Sequence, residues 1–399
     1  MIKNKLIAII ILLFAGATQI GFSQNIEEII INQEPYQDLI IGDLENWPSS
    51  PLFSMSDSIA PEPPTPVRIA VVLSDIGDKK DLEFARGILM GLENVKNDER
   101  QISLTMLNGA VPQDSVTMQL DDFSPNLIIV NFEKNFPAYL NDYAKDNGVM
   151  MMNAFDMRND SYRTNPNIIQ LLTPSVYFNE EIADFFGKQF SGYELIIVGE
   201  MDKNDQIFDR LSSKLVNGVS ALTDKEAVES FQPEASKSYL FYCFPTKKDD
   251  VKTMVEALAA LRKKYPGTFS AVVGRPSWIT FTDLAKNFDA ANVYIPSRCY
   301  FDPASVEGKK FITEYNSLFG HPPVKTFPVY SVMGYDIINH FTKGIAESHN
   351  DYSVEWPKTE TIQTDFSFRT SPEISGYYNP EVYVVRFNAN GSADKINVD

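Results

Sequence analysis

The chain has 399 residues, with 35 Lys and Arg against 53 Asp and Glu for a formal net charge of −18, and 44% of it is hydrophobic. So acidic a chain, with no basic patch, is a poor partner for nucleic acid. Its length exceeds the roughly 250–300 residues that one hydrophobic core supports, so two lobes are expected.

The first residues, MIKNKLIAIIILLFAGATQIGFSQ, place Lys3 and Lys5 before an apolar run from Leu6 to Phe14, followed by small residues. That is the layout of a secretory signal peptide, expected over residues 1–23. The run is shorter than the ~20 residues that span a bilayer. No cysteine lies near the cut, so no lipid anchor is indicated, and an exported, periplasmic or secreted protein is expected. Residues 24–66 read as a spacer, because "SSPLFSMSDSIAPEPPTP" is dense in Ser and Pro and has no periodic apolar face.

From Val67 onward strands and helices alternate. The strand candidates are "RIAVVL", "ISLTML", "NLIIVN", "VMMMNA" and "IIQLL", then "ELIIVG", "YLFYCF", "FSAVVG" and "NVYIPS". These are near-continuous apolar runs, as parallel strands covered on both faces require. After the first strand, Leu82, Ala85, Ile88, Leu89 and Leu92 form one helical apolar stripe. In "TKKDDVKTMVEALAALRKKYPG", Thr246 is placed to cap a helix. Asp249 and Asp250 suit its start, Lys263 and Lys264 its end, and Pro266-Gly267 stops it. Strand–helix–strand repetition in two sets of about five predicts two doubly wound, parallel-sheet, Rossmann-like α/β lobes.

The turn after the first strand carries Ser74, Asp75 and Gly77 but no G-x-G-x-x-G or G-x-x-x-x-G-K-[ST] pattern, so it is no dinucleotide or P-loop cradle. G-x-S-x-G is absent, and His321, His340 and His349 are too scattered for a metal set. No spacing singles out a catalytic pair, so the chain reads as a non-enzyme without cofactor or metal. In open α/β sheets, ligands bind beyond the carboxyl ends of the strands. That rule names Ser74, Asp75, Asn108, Asn131, Phe132, Glu133, Asn153, Phe155 and Asp156 in the first lobe. In the second it names Glu200, Asp202, Phe244, Thr246, Arg275, Trp278, Ser297, Arg298 and Tyr300. Arg275 and Arg298 are placed to grip a carboxylate with two parallel bonds, while Trp278 suits packing beneath a hinge. Cys243 and Cys299 end strands with one strand between them, about 9.5 Å apart. A disulfide tolerates no more than ~7 Å between Cα atoms, so two free, buried thiols are expected.

Residues 67–399 resemble the type I periplasmic solute-binding proteins (leucine/isoleucine/valine-binding-like). The stretches that carry the likeness are "RIAVVLSDIGDKKDLEFARGILMGLENVK", "NLIIVN…FPAYLNDYAKDNGVMMMNAF" and "FDPASVEGKKFITEYNSLFGHPPVKTFPVYSVMGYDIINHFTKGI". The ending "ETIQTDFSFRT…YYNPEVYVVRFNANGSADKI" resembles the closing strands of that family. Gly274-Arg275-Pro276-Ser277-Trp278 and Gly334-Tyr335-Asp336 are similar to a divergent branch often joined to LysM modules, although no LysM repeat is present. The family's small Ser/Thr-rich ligand loops are replaced here by Asn131-Phe132-Glu133-Lys134 and Asn153-Ala154-Phe155-Asp156.

The resemblance implies lobe 1 over 67–173 plus 300–363 and lobe 2 over 174–299 plus 364–399. They would be joined by a three-strand hinge near Leu172–Pro174, Ser297–Asp302 and Thr361–Asp365. It also implies a monomer that closes on a small polar, amino-acid-like solute and feeds an ABC transporter permease, with Tyr330 added to the ligand residues. Arg275 or Arg298 would pair an acidic group, Asp75, Glu133 or Asp156 a basic one, and Phe132, Phe155 and Tyr300 would stack. The competing expectation is an envelope protein that uses the same fold to bind a protein partner or peptidoglycan.

Overall fold

The structure, a computed structural model, describes residues 67–95, 102–215, 219–268, 270–348 and 361–398. The expected signal peptide, the spacer and His349 lie outside the described residues.

The first sheet is built from β1 (Val67–Leu73), β2 (Ile102–Asn108), β3 (Leu127–Asn131), β4 (Met150–Asn153) and β5 (Ile168–Gln170). Helices α1 (Lys79–Val95), α2 (Gln113–Phe123) and α3 (Ala138–Asn147) cross between the first four of these strands. Then come α4 (Ser175–Gln189), β6 (Glu194–Val198), α5 (Gln206–Lys214), β7 (Val219–Leu222), α6 (Lys225–Ser230), β8 (Tyr239–Cys243), α7 (Lys248–Lys264), β9 (Ser270–Val273), α8 (Ala285–Ala291) and β10 (Val293–Ser297), which form the second unit. The chain finishes with α9 (Val306–Phe319), α10 (Tyr330–Ser348), β11 (Arg369–Ser371), β12 (Ile374–Tyr378), β13 (Tyr383–Phe387) and β14 (Ala393–Asn397).

Among the described residues each sheet has seven strands, ordered β11-β12-β5-β4-β3-β1-β2 and β14-β13-β10-β9-β8-β6-β7. Pairing is parallel from β12 to β2 and from β10 to β7, with antiparallel partners only at one edge of each. Both faces of both sheets are buried, which is why the strands read as unbroken apolar runs. In the first lobe Val71, Ile129 and Met152 pack with Phe84, Met333 and Ile337, while Ile128 and Val130 pack with Val116, Leu120 and Leu140 on the other face. In the second, Phe241 and Val272 meet Val255, Leu258 and Phe288, and Leu195 and Leu240 meet Phe178, Phe186 and Leu211. Each such side chain contributes about 1.5–3 kcal/mol by leaving water.

α1 and α10 approach so closely that a Cβ on Gly87 would sit 1.9 Å from the Ser331 carbonyl oxygen, and one on Gly334 2.4 Å from that of Phe84. α7 starts after Lys247, which makes no side-chain cap. Thr246, expected to cap it, is exposed one residue earlier. Asp249 and Asp250 do stand in its first turn, and Lys263 and Lys264 in its last. Cys243 and Cys299 are free and buried, and β9 lies between β8 and β10.

Among the described residues three segments cross between the lobes. The first two are at 171–174, after β5 of the first sheet, and at 298–302, after β10 of the second. The third lies at 379–382, between β12 of the first sheet and β13 of the second, not at Thr361–Asp365. The segment 364–399, expected wholly in lobe 2, therefore divides. β11 and β12 join the edge of the first sheet through β5, and β13 and β14 join the second through β10. Residues 361–365 instead run along the hinge as a splint. The buried Asp336 carboxylate on α10 accepts the backbone N–H groups of Ile362, Gln363 and Thr364. Asp365 reaches the other lobe by accepting bonds from the Tyr383 hydroxyl and Lys395 Nζ.

Candidate functional site

The strand tips of each lobe converge on a carboxylate that belongs to the protein. Register aligns Asn108, Asn131, Asn153 and Gln170 as neighbouring ends of β2, β3, β4 and β5. Asp81, in the first turn of α1 and 3% exposed, meets one of them, Asn131 at the end of β3. Its Oδ2 accepts the Ser74 hydroxyl at 2.7 Å and the Asp75 N–H at 2.6 Å, and its Oδ1 accepts Asn131 Nδ2 at 2.8 Å. Burial raises the Asp81 carboxyl above the ordinary carboxylate range, and the bonds from Asp75 and Ser74 oppose that rise.

The second lobe repeats the device. Asp205 caps α5 by accepting the N–H groups of Ile207 and Phe208. Its other oxygen accepts the Tyr242 hydroxyl at 2.9 Å and pairs with the Arg275 guanidinium. Arg275, expected to hold a ligand's acid, is thus held by the protein's own, and burial lowers its pKa. A helix N-terminus is the place where this architecture offers N–H groups to an anion. At α5 Asp205 already caps those groups from within, whereas Asp81 in α1 takes up the turn before the helix and the end of β3.

The other sequence-predicted residues sort by the same geometry. Phe155 stacks on Tyr330 at 4.6 Å inside the first core, and Tyr300 packs edge-on against Phe387 inside the second, so neither ring is offered to a ligand. Trp278 is fully buried, lies parallel to Phe288 and donates its ring N–H to the Pro245 carbonyl, so it packs within lobe 2 rather than beneath the hinge. Asn153 donates to Gln170 Oε1, and Asp156 accepts the Phe136 N–H. Arg298 is a hinge residue. Its Nε donates to the Thr173 carbonyl, its guanidinium lies 3.7 Å from the Phe178 ring centroid, and burial lowers its pKa to about 10. Phe132 packs over Gly109, half-buried. Among the sequence-predicted tip residues, Asp75, Glu200 and Asp202 stay exposed, as do Thr246 and Glu133, which pairs with Lys80 at 2.5 Å. Among the described residues no group of three His, Cys, Asp or Glu could hold a metal ion, and no helix is long and apolar enough to cross a membrane.

The open space lies toward the hinge. A recess of about 670 Å³ is walled on one side by the loop after β4, with Arg158, Asp160 and Arg163, and on the other by Ser175 and Val176 of α4 and Gln206, Asp209 and Arg210 of α5. Both lobes therefore contribute to it. Beside it Tyr177 of α4 stacks on Tyr378 of β12 at 4.4 Å, a ring contact between the lobes. The strand-tip rule did not name these residues, because the wall is a loop five residues or more beyond β4 and the exposed face of α5. No sequence period marks either one. Asp81 and Asp205 were also missed, each sitting past the turn that the rule inspects.

No protein-family model and no curated protein sequence matches the chain. Solved structures do. A putative branched-chain amino acid ABC transporter from Rhodospirillum rubrum matches with a TM-score of 0.57 at 12% identity, covering 83% of this chain and 99% of that one. The C-domain of LpoA (YraM) from Haemophilus influenzae, a regulator of PBP1A, matches with a TM-score of 0.53 at 12% identity over 82% and 99%. An ABC transporter substrate-binding protein from Sphaerobacter thermophilus gives 0.50 at 12% over 84% and 97%. Together with two mostly parallel seven-stranded sheets and three crossings, these place the chain in the two-lobed periplasmic binding protein type I fold. At such identities the likeness speaks to fold.

Proposed function

We propose that the chain is an exported binding protein, not an enzyme, that closes its two lobes on a small polar solute at the hinge-side recess. The observation that carries this reading is the recess itself, whose walls come from both lobes. Closure is then a rigid-body rotation about the three crossings, and a ligand touching both walls binds the closed form better than the open one. Its volume lies within the 300–1,000 Å³ usual for small-molecule sites. The strand tips are a poor place for an amino acid, since any ligand carboxylate there would compete with Asp81 and Asp205. A thermal-shift screen of amino acids, peptides, nucleosides and cell-wall fragments tests the reading. Ligand at 100 times its Kd adds about 2.7 kcal/mol to the folded state, so a clear rise in Tm is expected, and a flat screen overturns the proposal. Delivery to a membrane permease belongs to the same proposal.

One observation favours a second reading, an envelope protein that docks a protein partner. Both tip sites are closed by internal carboxylates, which suits a fold kept as scaffold, and LpoA is a regulator of PBP1A. A pull-down from envelope extract separates the two. Capture unchanged in Arg158→Gln, with no solute in the screen, supports the partner reading.

A further inference from the structure

We infer that the recess takes a small molecule with two anionic oxygen groups, carboxylate or phosphate, gripped by arginines from both lobes. The inference rests on the reading of the recess as a binding site and adds the class of its ligand.

Three arginines line the recess against two acids, Asp160 and Asp209, although the chain as a whole carries a formal charge of −18. A locally positive wall in an acidic protein concentrates the field where the walls exclude water. The three guanidiniums differ in how they are held. Arg163 hydrogen-bonds the Tyr162 side chain, which raises its pKa, and lies 5.9 Å from the ring centroids of both Tyr162 and Tyr177, one ring from each lobe. Arg158 is exposed, and among the described residues its guanidinium has no hydrogen-bond or ion-pair partner. Arg210, on the facing helix, has only a 3.8 Å ion pair with Glu180, and both side chains are well exposed. Such exposed pairs contribute little and yield readily to a better partner.

A planar guanidinium binds carboxylate or phosphate through two parallel hydrogen bonds. Arg158 and Arg163 stand on the first lobe and Arg210 on the second, so one oxyanion on each wall makes the ligand a bridge between lobes. Met157, Pro174 and Val176 supply an apolar spacer surface between the charged ends. A ligand with a single charge would engage one wall and leave the lobes uncoupled. A dication would face three arginines.

The test is calorimetric titration of the full-length protein with tricarballylate, succinate and 3-phosphoglycerate as anions, and leucine, glycylglycine and spermidine as controls. Binding of the anions is expected, with affinity about ten- to a hundred-fold weaker in Arg158→Gln and in Arg210→Gln. Arg163→Lys, which keeps the charge and loses the fork, is expected to fall between wild type and Arg163→Gln. A preference for 3-phosphoglycerate over the carboxylates, or the reverse, identifies which oxyanion the wall selects. Equal anion binding in wild type and the arginine variants overturns the inference. So does binding of a control instead of the anions. If that control is lost in Val176→Trp, which fills the recess, the recess stands as a binding site and only the ligand class falls. No binding by any of the six overturns the inference, while the reading of the recess as a binding site falls only with a flat screen.

Discussion

Removing the Asp205 carboxylate should destabilise the second lobe far more than removing its cationic partner. Asp205 is 3% exposed as a side chain and serves two helix N–H groups, the Tyr242 hydroxyl and Arg275. Asp205→Ala strips the cap from α5 and leaves a guanidinium that is only 20% exposed without its anion. Breaking a buried pair from one side costs about 3–5 kcal/mol, a range that already includes a cap loss of about 1 kcal/mol. Arg275→Met removes one charge-assisted bond while Asp205 keeps three donors, so about 1–2 kcal/mol is expected. For a unit of 150–250 residues each kcal/mol moves Tm by about 2–4 °C. The two variants should therefore fall by roughly 6–20 °C and 2–8 °C. Urea unfolding followed by circular dichroism, with the double variant closing a cycle, measures both losses and a coupling of at least about 1 kcal/mol. The reasoning fails if Arg275→Met costs as much as Asp205→Ala, or if the two losses simply add.

Asp336 and His340 stand one turn apart on α10 and pull stability in opposite directions with pH. Burial raises the Asp336 carboxyl from 3.8 to about 7 against three backbone N–H donors, so its contribution is full below pH 3.8 and lost as pH rises through 7. Burial lowers His340 from 6.5 to about 4, so its contribution is full above pH 6.5 and lost as pH falls through 4. Tm measured from pH 4 to 8 should lose its decline toward neutrality in Asp336→Asn and its acid decline in His340→Phe; unchanged slopes refute the assignment. Gly334→Ala should cost about 1–3 kcal/mol or more, because its methyl meets the Phe84 carbonyl at 2.4 Å. A thermal melt within 1 °C of wild type (roughly 0.3 kcal/mol) contradicts that packing. Burial raises both thiols, that of Cys299 to about 12. Alkylation without reductant should add no label to native protein and two after unfolding, and intact mass reads the result.

The fold was legible because parallel strands covered on both faces leave an unmistakable run such as Leu127–Asn131 or Tyr239–Cys243, and all nine such runs are strands. Outside those runs lie the edge strand β7 and the closing strands β11 to β14, which the resemblance and not the apolar pattern marked, the buried β13 among them. The edge strand β7 is only four residues long, β11 is exposed throughout, and β14 is half-exposed and polar. The α1 stripe was read as one apolar face, yet α1 is also covered by α9 and α10. It thus buries Glu83 beside Tyr315 and Met90 beside Phe311, a second face that a single-stripe reading cannot reveal. The strand tips were legible in position and not in chemistry, and the recess was legible in neither. Strand ends are set by sheet topology, but whether Arg275 greets a ligand or Asp205 depends on a carboxylate seventy residues away in sequence. Stacking of Phe155 on Tyr330 likewise joins two segments that no local pattern links.

The most direct test of two-lobed closure is a distance across the cleft. Lys134→Cys, after β3, and Lys203→Cys, after β6, are both exposed, and the native thiols are buried, so spin labels go to the two new sites alone. Pulsed electron paramagnetic resonance with and without the tightest ligand from the screen should show a broad, long distance that becomes shorter and narrower when ligand is bound. An identical distribution in both states contradicts closure on a solute.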